Sequence, residues 1–333
     1  MTQRYGEHDH EHYERPRRRT RPRTKERPAH ADAVSGRVVT VDRGRYTVLV
    51  ESDAVDRTVT AMRARQLGRK AVVVGDVVQM VGDVTGDTGS LSRIVRVEPR
   101  RTVLRRTADD DDPVERVIVA NAEQLVVVTS LADPPPRPRL IDRCLVAAYD
   151  AGMQPVICLT KADLASSAEL IADYEPLGVP MLVTGRDSDL DEVRARLRDR
   201  VSVLVGHSGV GKSTLVNALV PDAYRLTSHV NEATGRGRHT SSSAIVLALP
   251  FGGLIVDTPG IRSFGLAHVD PSSVLASFTD LAEAAASCPR GCMHAAGELE
   301  CALDTAVADG RLDARRVASM RRVLSSREPH GGE

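Results

Sequence analysis

The sequence predicts three folded parts in series: a small all-β barrel, an α/β domain built on a parallel sheet, and a helical module with a Cys/His cluster. Three observations carry this prediction. Short alternating runs fill residues 34–98, strand and helix patterns alternate over residues 99–270, and a cluster of cysteines interrupts the helical pattern of residues 271–333. A chain of 333 residues is long enough for several such domains.

The first part of the chain differs from the rest. Residues 1–33 are rich in Arg, His, Pro and Glu and nearly lack apolar side chains. Such a segment cannot bury enough surface to offset the entropy of ordering, so we predict a disordered basic arm. Residues 15–25 contain no acidic side chain, so the arm is locally basic, and such a charge run is often only a solvated tail.

Composition limits the cellular compartments and the redox conditions in which we expect the protein. The 45 basic and 45 acidic residues cancel, so net charge indicates no partner. No apolar run is long enough to cross a bilayer and the N-terminus lacks a signal-peptide core, so we expect a cytoplasmic protein without a membrane partner. The number of cysteines, 5, is odd, and three of them crowd into one short segment with His294, which suits a reduced compartment and a metal site better than disulfides. Cys144 and Cys158 lie in apolar runs and are expected in the core.

The barrel prediction rests on residues 34–98. Five short runs alternate apolar and polar side chains and are separated by Gly and Asp turns. This pattern is typical of an oligonucleotide/oligosaccharide-binding (OB) barrel, and an SH3-like barrel would give a similar one. We interpret residues 98–106 as a linker to the next domain.

Residues 99–270 alternate apolar strands with amphipathic helices, which indicates βαβ units on a parallel sheet covered on both faces. Within it, residues 206–214 follow an apolar strand, match GxxxxGK[ST] and lead into a helix. Glycines let backbone N–H groups surround phosphate oxygens, Lys212 would neutralise the β and γ phosphates, and Ser213 would bind Mg²⁺. A Gly-rich turn without a ligand is the competing interpretation. The predicted phosphate-binding residues are Gly206, His207, Ser208, Gly209, Val210, Gly211, Lys212, Ser213 and Thr214.

A second strand ends in the sequence DTPG. Asp257 there would lie near Mg²⁺, and the backbone N–H of Gly260 near the γ phosphate. Between the two motifs, residues 235–242 form a polar Gly-rich stretch. This stretch could order over the γ phosphate and supply a hydroxyl to Mg²⁺, or it could be an ordinary surface loop.

A third strand is followed by Thr160, Lys161, Ala162 and Asp163, which resemble the guanine-reading NKxD motif with Thr in place of Asn. The Asp163 carboxylate can accept from guanine N1–H and the 2-amino group, and the Lys161 stem would lie along the base. Alone the motif could equally be a helix cap. With a phosphate loop in the same sheet it predicts GTP, at modest affinity because the missing Asn removes one link to that loop.

The guanine motif precedes the phosphate loop, the reverse of the usual GTPase order. A parallel sheet tolerates this permutation because its ligand sites lie at the carboxyl ends of several strands. The predicted fold class is therefore an α/β P-loop GTPase domain (circularly permuted), preceded by a small all-β OB-like barrel and followed by a helical zinc-binding module.

The Cys/His cluster of residues 288–301 predicts one structural zinc ion. Three thiolates and one imidazole suit tetrahedral Zn²⁺ and leave no open coordination position. Reduced cysteines beside a stray histidine are the competing interpretation. The predicted ligands are Cys288, Cys292, His294 and Cys301.

The barrel, TKAD before GHSGVGKST, the GRHT loop, DTPGIRSFGL and the Cys-Cys-His-Cys module together resemble the circularly permuted GTPases of the RsgA/YjeQ family. The resemblance covers nearly the whole chain from Val34. The family's usual zinc spacing, C-x4-C-x-H-x5-C, becomes C-x3-C-x-H-x6-C here. The resemblance implies a GTPase that binds the small ribosomal subunit and its rRNA late in maturation and is stimulated by it. We expect a monomer and no DNA partner.

The residue after DTPG is Ile261, where many GTPases have a Gln that orients the attacking water. We therefore expect slow intrinsic hydrolysis, with His239 of the GRHT loop as the catalytic residue beside Lys212, as the resemblance also suggests. Matching the family loop favours Thr240 or Ser241 as the Mg²⁺ ligand. Two other functions stay open: a nucleotide-dependent RNA-binding protein with little hydrolysis, and a metabolic P-loop ATPase.

Overall fold

Three groups of secondary structure follow one another along the chain in the predicted order. The structure is a computed structural model and describes residues 30–51, 56–67, 72–106, 116–221, 244–258, 264, 266 and 269–326. Residues 1–29 of the predicted arm therefore lie outside the described residues. All elements discussed below belong to one compact unit, Ala33–Glu333.

The first group is a closed five-stranded barrel. Its strands are β1 (Val34–Asp42), β2 (Arg45–Val50), β3 (Arg57–Arg63), β4 (Val77–Gly82) and β5 (Ser92–Val97). They pair in the order β1-β2-β3-β5-β4, with β3 and β5 parallel and β4 closing on β1. This order is that of an OB barrel and not of an SH3-like one. Alternate residues such as Val38, Val48 and Ile94 are fully buried inside, as the period of two predicts.

The barrel continues into a hairpin that the sequence did not indicate. Strand β6 (Val103–Arg106) pairs with β7 (Arg116–Ala120), so the interpretation of residues 98–106 as a linker is wrong. Arg100, in the same stretch, donates two hydrogen bonds to the fully buried Asp76 carboxylate at 2.7 and 2.9 Å. A buried carboxylate must be paired, so this junction between barrel and hairpin is specified by side chains.

Gly75 allows the close approach at this junction. Its φ is +88°, and a Cβ there would overlap the carbonyl oxygen of Ala120 on β7. We expect Gly75→Ala to lower the free energy of unfolding by more than about 3 kcal/mol. Gly44→Ala is the matched control: its φ is +86° with no atom within 4 Å of the added Cβ, so about 1 kcal/mol is expected. Equal losses in urea unfolding would contradict the close-contact explanation.

The second group is a six-stranded sheet in the order β10-β9-β8-β11-β13-β12. Its strands are β8 (Gln124–Ser130), β9 (Gln154–Thr160), β10 (Met181–Val183), β11 (Val201–Val205), β12 (Ile245–Ala248) and β13 (Leu254–Asp257). Neighbours are parallel except the antiparallel pair β12–β13. The parallel α/β prediction is confirmed, and β12 is an addition to it.

Helices cover both faces of this sheet. They are α1 (Pro138–Asp150), α2 (Ala168–Tyr174), α3 (Asp191–Leu197) and α4 (Lys212–Leu219), with a 3-10 turn at Glu175–Leu177. Along β8, Leu125 and Val127 pack in the core that contains α1, whereas Val126 and Val128 pack in the core that contains α3 and α4. Burial on both faces explains why these strands are continuously apolar.

The third group is helical, as predicted. It contains α5 (Pro271–Leu275), α6 (Thr279–Ala285), α7 (Ala302–Ala308) and α8 (Ala314–Ser325). Helix α8 packs on α1, where Arg322 lies 3.3 Å from the Asp142 carboxylate and its guanidinium lies 4.6 Å from the Tyr174 ring centroid. The Asp313 side chain caps the start of α8 by accepting from the Arg315 N–H.

The two cysteines outside the Cys/His cluster lie in the core, as predicted. Cys144 and Cys158 are buried, and burial raises the pKa of each thiol to about 12, so both are neutral packing residues. No helix among the described residues is long and apolar enough to cross a membrane.

Candidate functional site

The predicted nucleotide motifs meet at one edge of the parallel sheet. Strands β11, β13 and β9 end there with the phosphate loop, with Asp257 and with the guanine-reading motif. Because parallel strands bring their carboxyl ends to the same edge, motifs far apart in sequence become neighbours. The permuted chain order leaves this arrangement intact.

The phosphate loop has the backbone that its glycines predict. Gly209 and Gly211 adopt φ values of +85° and +86°, and helix α4 begins directly afterwards at Lys212. Gly206 packs so closely on β8 that an added Cβ would lie 2.5 Å from the Val128 carbonyl oxygen. The loop therefore presents backbone N–H groups and a helix N-terminus, the combination that binds phosphate.

Charged groups of the phosphate loop and of β13 are in direct contact. The Lys212 ammonium pairs with the Asp257 carboxylate and donates to the Thr258 carbonyl at 3.1 Å. The buried Thr258 hydroxyl donates to the Leu204 carbonyl of β11 at 2.8 Å, which holds the two strand ends together. One cation and one carboxylate thus share the place where a phosphate and its divalent cation would bind.

The remaining residues of the phosphate loop differ in exposure. Ser208, Ser213 and Thr214 are exposed, and the last two lie in the first turn of α4. Val210 is fully buried, and its side chain packs in the core beneath the loop. His207 Nδ1 lies 3.0 Å from the Ser208 carbonyl oxygen, so its ring folds back on the loop.

The guanine-reading motif is tied to the phosphate loop by Thr160. Its hydroxyl donates to the Val210 carbonyl at 2.6 Å, and the side chain is buried. The expectation that replacing Asn by Thr removes this link was wrong, because a shorter hydroxyl reaches the same loop. The reason for expecting modest GTP affinity is removed with it.

We expect Thr160→Val to weaken GTP binding about tenfold, because a methyl group of similar shape leaves the buried Val210 carbonyl without its donor. Thr160→Ser keeps the hydroxyl and is the matched control, expected within about threefold of the wild type. Isothermal titration with GTP measures both. A valine variant that binds like the serine variant would show that the link does not support the site.

Lys161 and Asp163 lie at the rim of the site. The Lys161 ammonium is held by the Asp133 carbonyl oxygen, and the Asp163 carboxylate is exposed and accepts from the Arg186 N–H at 3.1 Å. The carboxylate makes this contact with one oxygen, which leaves acceptor capacity for a base. Ala162 donates its N–H to the Thr184 carbonyl at 3.0 Å.

Two neighbouring loops were missed in the sequence. Residues 184–186 follow β10 and contact the guanine-reading motif. The Thr-Gly pair directly after the apolar run of β10 was a signal for this loop in the sequence. Residues 131–137 follow β8, where Pro134 approaches Gly209 and its carbonyl accepts from the Ser130 hydroxyl at 2.6 Å. The proline run there gave no functional signal. Four predicted site residues, His239, Thr240, Ser241 and Gly260, lie outside the described residues.

The Cys/His cluster forms a compact set of donors. The three sulfur atoms and a ring nitrogen of His294 all lie within 4.8 Å of one another. His294 Nδ1 is 3.5 Å from the Sγ atoms of both Cys288 and Cys292, and 3.9 Å from that of Cys301. Three thiols and one imidazole at such separations can surround a single soft metal ion.

Other side chains hold this cluster in shape. Arg321 of α8 donates to the His294 carbonyl at 2.8 Å and to Cys301 Sγ at 3.5 Å, while also pairing with Asp304. The Glu298 carboxylate accepts from the N–H of Met293 and of Ala295, which closes the turn around His294. Second contacts of this kind orient metal ligands.

The protonation states within the cluster also fit a metal. Desolvation raises the pKa of Cys292 to about 11 and lowers that of His294. A neutral imidazole is the form that binds a metal. The Cys292 thiol therefore needs a cation before it loses its proton near neutral pH, so metal binding should release a proton and weaken as the pH falls.

Comparisons with known proteins agree with this geometry. The sequence pattern of the family described as RsgA GTPase matches residues 97–267. The "Small ribosomal subunit biogenesis GTPase RsgA" of Pseudomonas aeruginosa is 39% identical over 290 residues, which cover 84% of this chain and 83% of that protein.

Two solved structures are also similar. The circularly permuted GTPase YloQ has a TM-score of 0.65 at 24% identity, covering 92% of this chain and 99% of that one. YjeQ from Thermotoga maritima has a TM-score of 0.64 at 25% identity, covering 89% and 98%. The likeness to these two folds extends over the barrel, the permuted domain and the C-terminal module.

Proposed function

The chain belongs to the RsgA family of circularly permuted GTPases, and from this premise we propose that it hydrolyses GTP to GDP and phosphate on the small ribosomal subunit and assists the subunit's late maturation in the cytoplasm. One observation carries the proposal. The phosphate loop and the guanine-reading motif, separate in sequence, are joined by the Thr160–Val210 hydrogen bond at one sheet edge. This arrangement suits a guanine nucleotide bound across both motifs.

We assign the nucleotide contacts accordingly. Asp163 reads the base, residues 206–211 surround the phosphates, and Lys212 neutralises the β and γ phosphates. Ser213, Asp257 and Thr240 would hold Mg²⁺, which supplies neutralisation of charge on the phosphate oxygens. Gly260 would donate its N–H to the γ phosphate.

We assign the Cys/His cluster to one Zn²⁺ held by Cys288, Cys292, His294 and Cys301. The short distances among the four donors support this, and four protein ligands leave no position for a substrate. The role is structural. The domains we propose are an arm (1–33), the OB-like barrel (34–98), the GTPase domain (99–270) and the zinc-binding module (271–333).

The barrel supports ribosomal RNA as the partner. Arg45, Met62 and Arg93 lie side by side on adjacent strands β2, β3 and β5, and all three are exposed. Two cations that flank an apolar side chain on an OB-barrel face suit contact with phosphates and bases. The basic arm would add salt-dependent phosphate contacts.

Multiple-turnover GTP hydrolysis with and without purified small ribosomal subunits tests the proposal. We expect slow hydrolysis alone and stimulation by the subunit, in a chain that prefers GTP over ATP. Absence of stimulated turnover, despite GTP binding, would favour a nucleotide-dependent RNA-binding protein. Preference for ATP would favour a metabolic ATPase.

His239→Ala should reduce subunit-stimulated turnover about a hundredfold, because the variant lacks the imidazole that we propose orients the attacking water. GTP affinity should stay within about twofold of the wild type, since the assigned phosphate and base contacts lie elsewhere. Single-turnover hydrolysis on saturating subunits measures the effect. Unchanged stimulated turnover would contradict the assignment of His239.

A further inference from the structure

The buried side chain of Arg143 connects three parts of the molecule. It lies on α1, and its guanidinium donates to the Phe264 carbonyl and, at 3.3 Å, to the Ser326 carbonyl. Phe264 belongs to the segment that follows Asp257, and Ser326 directly follows the last residue of helix α8. All three residues are buried. A planar guanidinium with several donors can serve two carbonyls at once, which an ammonium on a flexible stem does poorly.

Helix α8 extends this connection to the metal cluster. Within the last two turns of this helix, Arg321 donates to the His294 carbonyl and to Cys301 Sγ. The same helix presents Met320 and Val323, both fully buried, to the core shared with α1. The C-terminal end of one helix is therefore in contact with Arg143, and a neighbouring residue of the same helix is in contact with the proposed zinc ligands.

The segment after Asp257 is where GTPases respond to the γ phosphate. A displacement of Phe264 must either break its hydrogen bond with Arg143 or change the contact of Arg143 with Ser326. Loss of one acceptor by a buried guanidinium is unfavourable, so a displacement of the Phe264 carbonyl favours a shift of Arg143 that also alters its hydrogen bond with the Ser326 carbonyl.

We propose that Arg143 is a positioning residue that couples the segment after Asp257 to helix α8, so that nucleotide state and the Cys/His module influence each other. The inference rests on the proposed function as a GTPase. Coupling of binding free energies is reciprocal, so a partner bound to the module would change the preference for GTP over GDP.

Hydrogen exchange of α8 amides, measured with GDP and with a non-hydrolysable GTP analogue, tests the coupling in the full zinc-loaded chain. In the wild type, exchange at residues 323–326 should differ about fivefold between the two nucleotides. In Arg143→Lys this difference should vanish, while GDP affinity stays unchanged. Arg316→Lys is the matched control: it weakens bonds from α8 to Asp280 and the Pro176 carbonyl without touching Phe264, so the difference should persist.

The outcomes separate clearly. If the nucleotide-dependent exchange difference survives in Arg143→Lys, the proposal is overturned. It is also overturned if the difference is lost in both Arg143→Lys and Arg316→Lys. If Arg143→Lys does not fold, the wild type decides: a difference at residues 323–326 supports the coupling, and identical exchange overturns it. A chain that binds neither nucleotide contradicts the proposed function and the coupling with it, whereas binding without any response in α8 contradicts the coupling alone.

Discussion

Replacing Lys212 by methionine should weaken GTP binding at least about a hundredfold, the largest effect we expect from a single substitution in the nucleotide site. The ammonium lies at the start of α4, beside the phosphate loop, and is mostly buried against Asp257. Methionine keeps much of the volume and removes the charge. Phosphates would then meet the Asp257 carboxylate without a cation between them, so lost attraction and added repulsion act in the same direction.

Titration with a fluorescent GTP analogue at fixed Mg²⁺ measures this loss. Arg194→Met is the matched control, since it also removes a cation paired with an aspartate, Asp191 at 2.9 Å, but on the exposed surface of α3. We expect that control to bind GTP like the wild type, because surface pairs contribute little. A folded Lys212 variant that also binds like the wild type would refute the assignment of this loop to phosphate.

Local sequence patterns predicted the strands and the phosphate loop that form the site. Gly209 and Gly211 were recognisable because only glycine adopts their left-handed backbone readily, and the continuous apolar runs around Val126 and Val156 indicated strands buried on both faces. Such signals are contained in a few adjacent residues. The comparison with the RsgA family agrees with this prediction of strands and phosphate loop.

Contacts between distant residues could not be predicted in this way. Thr160 reaches Val210, and Arg321 supports Cys301, only because the fold brings separate elements together. Strand β6 escaped notice for a related reason. Its four residues, VLRR, are too few and too basic to show an alternation, and β6 is stabilised by pairing with β7.

Replacing Cys301 by serine should release the proposed zinc ion and lower the free energy of unfolding by about 3 kcal/mol or more. Cys301 is buried, precedes the first residue of α7, and contacts both His294 and Arg321. Serine is a poor ligand for Zn²⁺, so three donors would remain for an ion that structural sites hold with four. Helix α8 should stay docked, because Met320 and Val323 are fully buried in the core shared with α1 and are not part of the Cys/His cluster.

Zinc content per chain and thermal unfolding measure these two effects separately. Cys144→Ser is the matched control, because Cys144 is equally buried but lies on α1 outside the cluster. It should keep its zinc and lose about 1 to 2 kcal/mol through burial of a hydroxyl. Retention of one zinc ion by Cys301→Ser would contradict the ligand assignment. Equal destabilisation of the two variants, with zinc lost only from Cys301→Ser, would instead show that the ion binds without stabilising the fold.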